Sequence, residues 1–130
     1  MAGKKIIEQI KKDFDFLEKK VLAVLLYGSV QKSEDSERSD IDICIVAPKQ
    51  DVKELIKEVF RNVDVHGKKY DVFVFEELPL YIKAEIIQNH TIVLGNAPEL
   101  YEYLYFFRKL WDDQKRRQEV SKEEILKILS

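Results

Sequence analysis

The chain has little of what several common protein classes need. It has one cysteine and two histidines among 130 residues, which excludes an internal disulfide and a cysteine-cluster metal site. No apolar stretch is long enough to span a bilayer, and the first residues lead into an amphipathic pattern rather than the apolar core of a signal peptide. We therefore expect a cytoplasmic protein with no membrane contact.

An excess of positive charge is also missing. The net charge is −2, and the basic residues are interleaved with acids instead of forming a basic stripe, which disfavours a nucleic-acid partner. With 45% hydrophobic residues and no repeat or long linker, the chain is expected to build a single core.

A buried strand that ends in a Gly-Ser turn is the first positive signal. Residues 21–27 are an unbroken apolar run, typical of a central strand covered on both faces. Gly28 and Ser29 follow, and such a turn can approach a ligand closely and donate hydrogen bonds to phosphate oxygens. Taken alone, Gly-Ser is more simply an ordinary turn.

Two carboxylates follow after a spacing of ten residues. From Asp40 the chain alternates, so that Asp40 and Asp42 share one face of a predicted strand while isoleucines fill the other. Neighbouring carboxylates near a core call for a compensating cation, and Mg²⁺ typically takes one or two carboxylates plus substrate phosphates. A solvated strand edge is the alternative interpretation of this pair.

A third acid, Asp71, opens another predicted strand. If the two strands are neighbours, three carboxylates surround one spot. Such a triad can hold two metal ions that assist displacement at phosphorus. A solvated acid beside a turn is the alternative for Asp71.

These residues together carry a resemblance to a known family. Gly28-Ser29, the spacing of ten, Asp40-Ile41-Asp42 and the later Asp71 resemble the DNA polymerase β-type nucleotidyltransferase superfamily, specifically its minimal nucleotidyltransferase (MNT) branch. The similarity covers nearly the whole chain. It implies an α/β (α+β) fold with a small mixed sheet flanked by helices, and a domain of residues 1–96 followed by a helical extension of residues 97–130.

The resemblance also implies an activity. Members transfer a nucleoside monophosphate from a nucleoside triphosphate to a hydroxyl. Gly28, Ser29 and Lys32 would hold the triphosphate of ATP, and Asp40, Asp42 and Asp71 would be the catalytic ligands of two Mg²⁺ ions. The loop departs from the family pattern, because Val30-Gln31-Lys32-Ser33 stands where the family often has Arg-Ala-Arg-Gly.

Minimal nucleotidyltransferases are often paired with HEPN-domain toxins, which they silence as antitoxins by adding AMP to a tyrosine. The expected function is therefore adenylylation of a HEPN toxin. The alternatives are a small-molecule nucleotidyltransferase, of the kind that modifies aminoglycosides, and a non-catalytic antitoxin that acts by binding alone.

The last quarter of the chain is unusually apolar. Nine of the twelve residues 100–111 are apolar or aromatic, and they occupy nearly every side of a helix. One stripe consists of Leu100, Leu104, Phe107 and Trp111. The other sides need cover, either from a partner protein or a second copy of the chain, or from a terminal helix that folds back after a capping box at Ser121.

Four further expectations can be checked. The pattern predicts a helix over residues 4–20, a helix capped by Asp51, and surface or capping roles for the two histidines. Cys44, on the same strand face as the aspartates, is expected to fill the core.

Overall fold

A computed structural model describes the backbone of residues 2–28 and 40–129. Two short 3₁₀ helices, Asp15–Leu17 and Phe75–Glu77, accompany the main elements. In chain order these are α1 (Ala2–Asp13), β1 (Ala23–Tyr27), β2 (Ile41–Val46), α2 (Val52–Asn62), β3 (Tyr70–Val74), α3 (Leu80–Gln88), β4 (His90–Gly95) and α4 (Ala97–Leu129).

The strands form one mixed sheet in the order β3-β2-β1-β4. β1 is antiparallel to both of its neighbours, whereas β2 and β3 are parallel. Parallel pairing places the first residues of β2 and β3 at the same edge of the sheet. The α/β fold with a small mixed sheet is therefore confirmed.

Helices cover both faces of the sheet. Val24 and Leu26 of β1 pack with α1 and α2, while Leu25 packs on the other face with α3 and α4. β2 follows the same alternation, because Ile43 faces α1 and α2, and Cys44 faces α3 and α4. The strand face predicted to carry the aspartates is thus the face that α3 and α4 cover.

One of two predicted helix boundaries agrees with the structure. Asp51 caps α2 as expected, since its side chain accepts a hydrogen bond from the backbone N–H of Glu54 at 3.1 Å. The helix predicted over residues 4–20 was too long, because α1 ends at Asp13. The carbonyl of Leu17 accepts hydrogen bonds from the N–H groups of residues 20 and 21, and this turn redirects the chain into β1.

The last helix is one continuous element. α4 runs over 33 residues without a break at Ser121, so the terminal helix that folds back was a wrong alternative. Residues 112–120 contain no glycine or proline to interrupt it.

The predicted stripe of α4 does pack on the domain. Leu100 and Leu104 are fully buried, and Phe107 and Trp111 are half-buried. Large apolar side chains on its other sides remain exposed: Tyr101, Tyr105, Phe106 and Leu110.

None of the helices in residues 2–28 and 40–129 is both apolar enough and long enough to cross a membrane.

Candidate active site

Asp42 and Asp71 are direct neighbours across the parallel pair β2 and β3. Adjacent strands lie about 4.8 Å apart, and paired residues face the same side of the sheet. Asp40 precedes the first residue of β2 and is exposed. The structure therefore brings together the two carboxylates that were predicted on separate strands, with the third close by in the chain.

The row continues across the sheet beyond the carboxylates. Tyr27 at the end of β1 is paired with Asp42 on one side and with His90 at the start of β4 on the other. Four strands thus contribute one side chain each to a single line, in the order Asp71, Asp42, Tyr27 and His90. We call this line the site row.

Gly28 lies directly against the carboxylate of Asp42. A Cβ atom at position 28 would stand 2.2 Å from Oδ2 of Asp42, far inside van der Waals contact. The backbone there also has φ +91°, a conformation that side chains with a Cβ rarely adopt. Only glycine lets the end of β1 and this carboxylate approach so closely, so the predicted close approach at Gly28 has a structural cause.

Burial and the crowding of negative charge together raise the pKa of Asp42. Burial contributes most, followed by the charges of Asp71 and of Asp40. The pKa of the Tyr27 hydroxyl is also raised, mainly by burial and then by Asp42. A cation bound at the carboxylates would relieve this repulsion.

The donor set suits Mg²⁺. Asp42 and Asp71 offer hard oxygen ligands on one face of the sheet, and Mg²⁺ usually binds one or two carboxylates while keeping water and substrate phosphates in its other positions. Within the part of the chain that the structure describes, no group of three His, Cys, Asp or Glu side chains is close enough to hold an ion. The pair, rather than a protein-only cage, is therefore what fits the metal, and the predicted triad of ligands stays a prediction.

Two of the predicted phosphate-binding residues are outside the part of the chain that the structure describes. Ser29 and Lys32 lie in residues 29–39, outside the described part of the chain. Their roles stay predictions that rest on the sequence pattern.

Two residues of the site row were missed from the sequence. Tyr27 was only the last residue of an apolar run, and His90 was placed at the end of a helix. His90 in fact opens β4, although its Nδ1 lies 2.8 Å from the carbonyl oxygen of Ile86 in α3, so the predicted capping role is also present. Only the strand register could have identified either residue.

A partly buried hydrogen-bond network, centred on Glu76, holds the end of β2. Glu76 accepts a hydrogen bond from the backbone N–H of Ala47, just after β2, and another from the hydroxyl of Tyr103 in α4 at 2.7 Å. Cys44 is fully buried, as expected for a core-filling thiol, and burial raises its pKa. These contacts join β2, which carries Asp42, to the last helix.

A mixed sheet with paired carboxylates beside a glycine turn defines the class of nucleotidyltransferases, and the sequence agrees. The family model described as "Polymerase beta, Nucleotidyltransferase" matches residues 4–99. The chain belongs to this family.

Similar proteins are known individually. A candidate protein adenylyltransferase of Methanocaldococcus jannaschii is 48% identical over 98 residues, which cover 75% of each chain. A mutant toxin–antitoxin structure, MntA–HpeT, matches 92% of this chain and 98% of its own with a TM-score of 0.73 at 11% identity. The complex of a tri-AMPylated Shewanella oneidensis HEPN toxin with its MNT antitoxin matches 95% of this chain and 98% of its own, with a TM-score of 0.65 at 12% identity. At such identities, the two structures support the fold.

Proposed function

We propose that this protein transfers AMP from ATP to a hydroxyl group of a partner protein, and that the partner is a HEPN-domain toxin in the cytoplasm. The observation that carries the proposal is the Asp42–Asp71 pair beside the glycine turn. The relative that is 48% identical is named for protein adenylylation. Structures of the same fold include an antitoxin with an AMPylated HEPN toxin and a toxin–antitoxin complex with AMP-PNP.

The geometry suggests how the chain would perform this reaction. Asp42 and Asp71, with Asp40 beside them, would hold two Mg²⁺ ions, and these ions would supply positive charge to the triphosphate and the α-phosphate. Gly28 has no side chain to keep the phosphates away from the end of β1. Ser29 and Lys32 would bind the triphosphate from the following loop.

The chemical step is a displacement at the α-phosphorus. The hydroxyl oxygen of the acceptor forms a bond to this phosphorus while the bond to the oxygen that bridges the α- and β-phosphates breaks, and pyrophosphate leaves. The carboxylate of Asp71, at the β3 end of the site row, would accept the proton of the hydroxyl group.

The helical extension, residues 97–130, would provide the partner surface. Leu100 and Leu104 pack α4 against the sheet. The side chains of Tyr105 and Phe106 are 58% and 60% exposed. Aromatic residues are enriched where proteins bind each other. We therefore assign the exposed side of α4 to the partner, and a second copy of the chain is the alternative occupant.

The test is transfer of label to a co-purified HEPN toxin. With ATP labelled at the α-phosphate and Mg²⁺ present, the partner should become labelled, whereas ATP labelled at the γ-phosphate should leave it unlabelled. Asp42→Asn should reduce transfer by at least about a hundredfold, because it replaces a charged carboxylate ligand of the metal with a neutral amide. Asp64→Asn is the matched control, since this aspartate lies in the α2–β3 connection and should transfer normally.

Two results would contradict the proposal. Full transfer by Asp42→Asn would remove the carboxylate pair from the chemistry. If the wild-type protein transferred no label, and if the wild type and Asp42→Asn both neutralised the toxin, the protein would be a non-catalytic antitoxin.

A further inference from the structure

His90 lies at one end of the site row, and the proposed reaction gives it no role. It lies on β4, two strands away from Asp42 and three from Asp71. At about 4.8 Å per strand, His90 is about 10 Å from Asp42 along the row. This separation suits the ribose and base of a nucleotide whose α-phosphate lies at the carboxylates.

The direction along the row also favours the donor nucleotide. In the proposed function, on which this inference rests, Asp71 faces the acceptor and Gly28 at the end of β1 faces the phosphates. His90 lies on the far side of β1 from Asp71. The nucleotide rather than the acceptor should therefore extend toward His90.

The ring of His90 has a defined hydrogen-bonding pattern. Its Nδ1 lies 2.8 Å from the carbonyl oxygen of Ile86. A carbonyl can only accept, so Nδ1 must carry the hydrogen and donate it. In the neutral ring Nε2 is then left as an acceptor.

An aromatic neighbour completes the arrangement. The centre of the Tyr101 ring, on α4, lies 6.1 Å from the centre of the His90 ring. This tyrosine is 53% exposed. Exposed aromatic rings of this kind provide stacking surface for a nucleobase. His90 is only half-buried, so it too is accessible from solvent.

We propose that His90 selects the base of the donor nucleotide, with Nε2 accepting a hydrogen bond from the 6-amino group of adenine beside the ring of Tyr101. A 6-oxopurine presents a carbonyl at this point, so two acceptors would face each other. The site therefore discriminates ATP from inosine triphosphate, which has a carbonyl in place of that amino group.

Direct binding to the full chain tests this selection without any acceptor protein. Calorimetric titrations with Mg²⁺ would compare ATP, inosine triphosphate and inorganic tripolyphosphate. The wild-type protein should bind ATP about tenfold more tightly than inosine triphosphate, as expected for one hydrogen bond gained against one lost.

Two variants isolate the imidazole nitrogen. His90→Phe keeps an aromatic ring and removes the acceptor, so the preference for ATP should fall to about twofold or less while the affinity for tripolyphosphate stays within twofold. His90→Gln, whose amide can donate as well as accept, should also lose the preference, and it serves if the phenylalanine variant does not fold. The control is His66→Phe, because this histidine stacks on Phe60 of α2, away from the site row.

The outcomes separate this inference from the proposed function. An unchanged preference for ATP in both His90 variants overturns the role of His90 and leaves the transfer reaction intact. A wild-type protein that binds neither ATP nor tripolyphosphate overturns both. Equal binding of ATP and inosine triphosphate by the wild type overturns base selection alone.

Discussion

Gly28 offers the sharpest test of how the site is built. In Gly28→Ala the new methyl group would lie 2.2 Å from Oδ2 of Asp42, whereas ordinary contacts begin at 3.4 Å. The carboxylate must therefore move by about 1 Å or more. Displacement of a reacting group by that distance typically costs about a hundredfold in rate, so transfer of AMP should fall by about that factor.

The same substitution should also destabilise the fold. The φ of +91° at position 28 costs a residue with a side chain about 1–3 kcal/mol. For a domain of this size the melting temperature should fall by about 3–15 °C. Thermal unfolding followed by circular dichroism measures this change, and the label-transfer assay measures the loss of activity.

A double-mutant cycle separates the steric contact from the backbone strain. Asp42→Ala removes the oxygen that Gly28→Ala would meet, so in that background the glycine substitution should cost only the strain. Gly67→Ala is a control for activity, because its methyl group would lie 2.0 Å from Oδ2 of Asp64, outside the site row. It should leave transfer unchanged.

The reasoning would be refuted by either of two results. If Gly28→Ala transferred AMP at the wild-type rate, the close approach to Asp42 would have no part in catalysis. If it lowered stability equally with and without the Asp42 carboxylate, the contact would carry no energy.

Three other perturbations follow from the structure. Asp42→Asn should raise the melting temperature at neutral pH without Mg²⁺ by a few degrees. Burial, together with the charges of Asp71 and Asp40, raises the pKa of this carboxyl group, so its ionised form destabilises the fold above pH 3.8. A lower melting temperature of the variant would contradict this destabilisation. Tyr103→Phe should lower the free energy of unfolding by about 1–2 kcal/mol at pH 7 in chemical denaturation, because it removes the hydrogen bond to Glu76. The pKa of Tyr103 is raised above 10.0, so the wild-type protein should also lose stability as the pH rises past 10.0. The variant, which lacks this hydroxyl group, should lose less. Phe106→Ser should weaken binding of the HEPN partner at least about tenfold and change the free energy of unfolding by less than about 0.5 kcal/mol. Leu104→Ala should instead lower the free energy of unfolding by about 2–5 kcal/mol. Pull-down of the partner measures binding, and chemical denaturation measures stability.

Much of the fold could be predicted because its signals are local. The alternation of β2 assigns Asp42 and Cys44 to one face without any knowledge of neighbouring strands. The cap at Asp51 depends on one residue and the N–H group three positions later.

The site itself could be predicted only in part. The sequence indicated that Asp42 and Asp71 open strands, but their contact depends on which strands are neighbours. The register that brings in Tyr27 and His90 is set by long-range pairing, which no local pattern records. The same limit explains the terminal helix, where a capping box at Ser121 was overridden by a preceding stretch of good helix formers.

Cys44 provides a way to measure how often β2, the strand that carries Asp42, becomes exposed to solvent. It is the one cysteine in the chain, it is fully buried, and it lies two residues from Asp42 on the same strand face. A thiol reagent can therefore react only when β2 becomes exposed to solvent, so the labelling rate reports how often this strand opens. Slower labelling in the presence of nucleotide would show directly that a ligand stabilises the strand that carries Asp42.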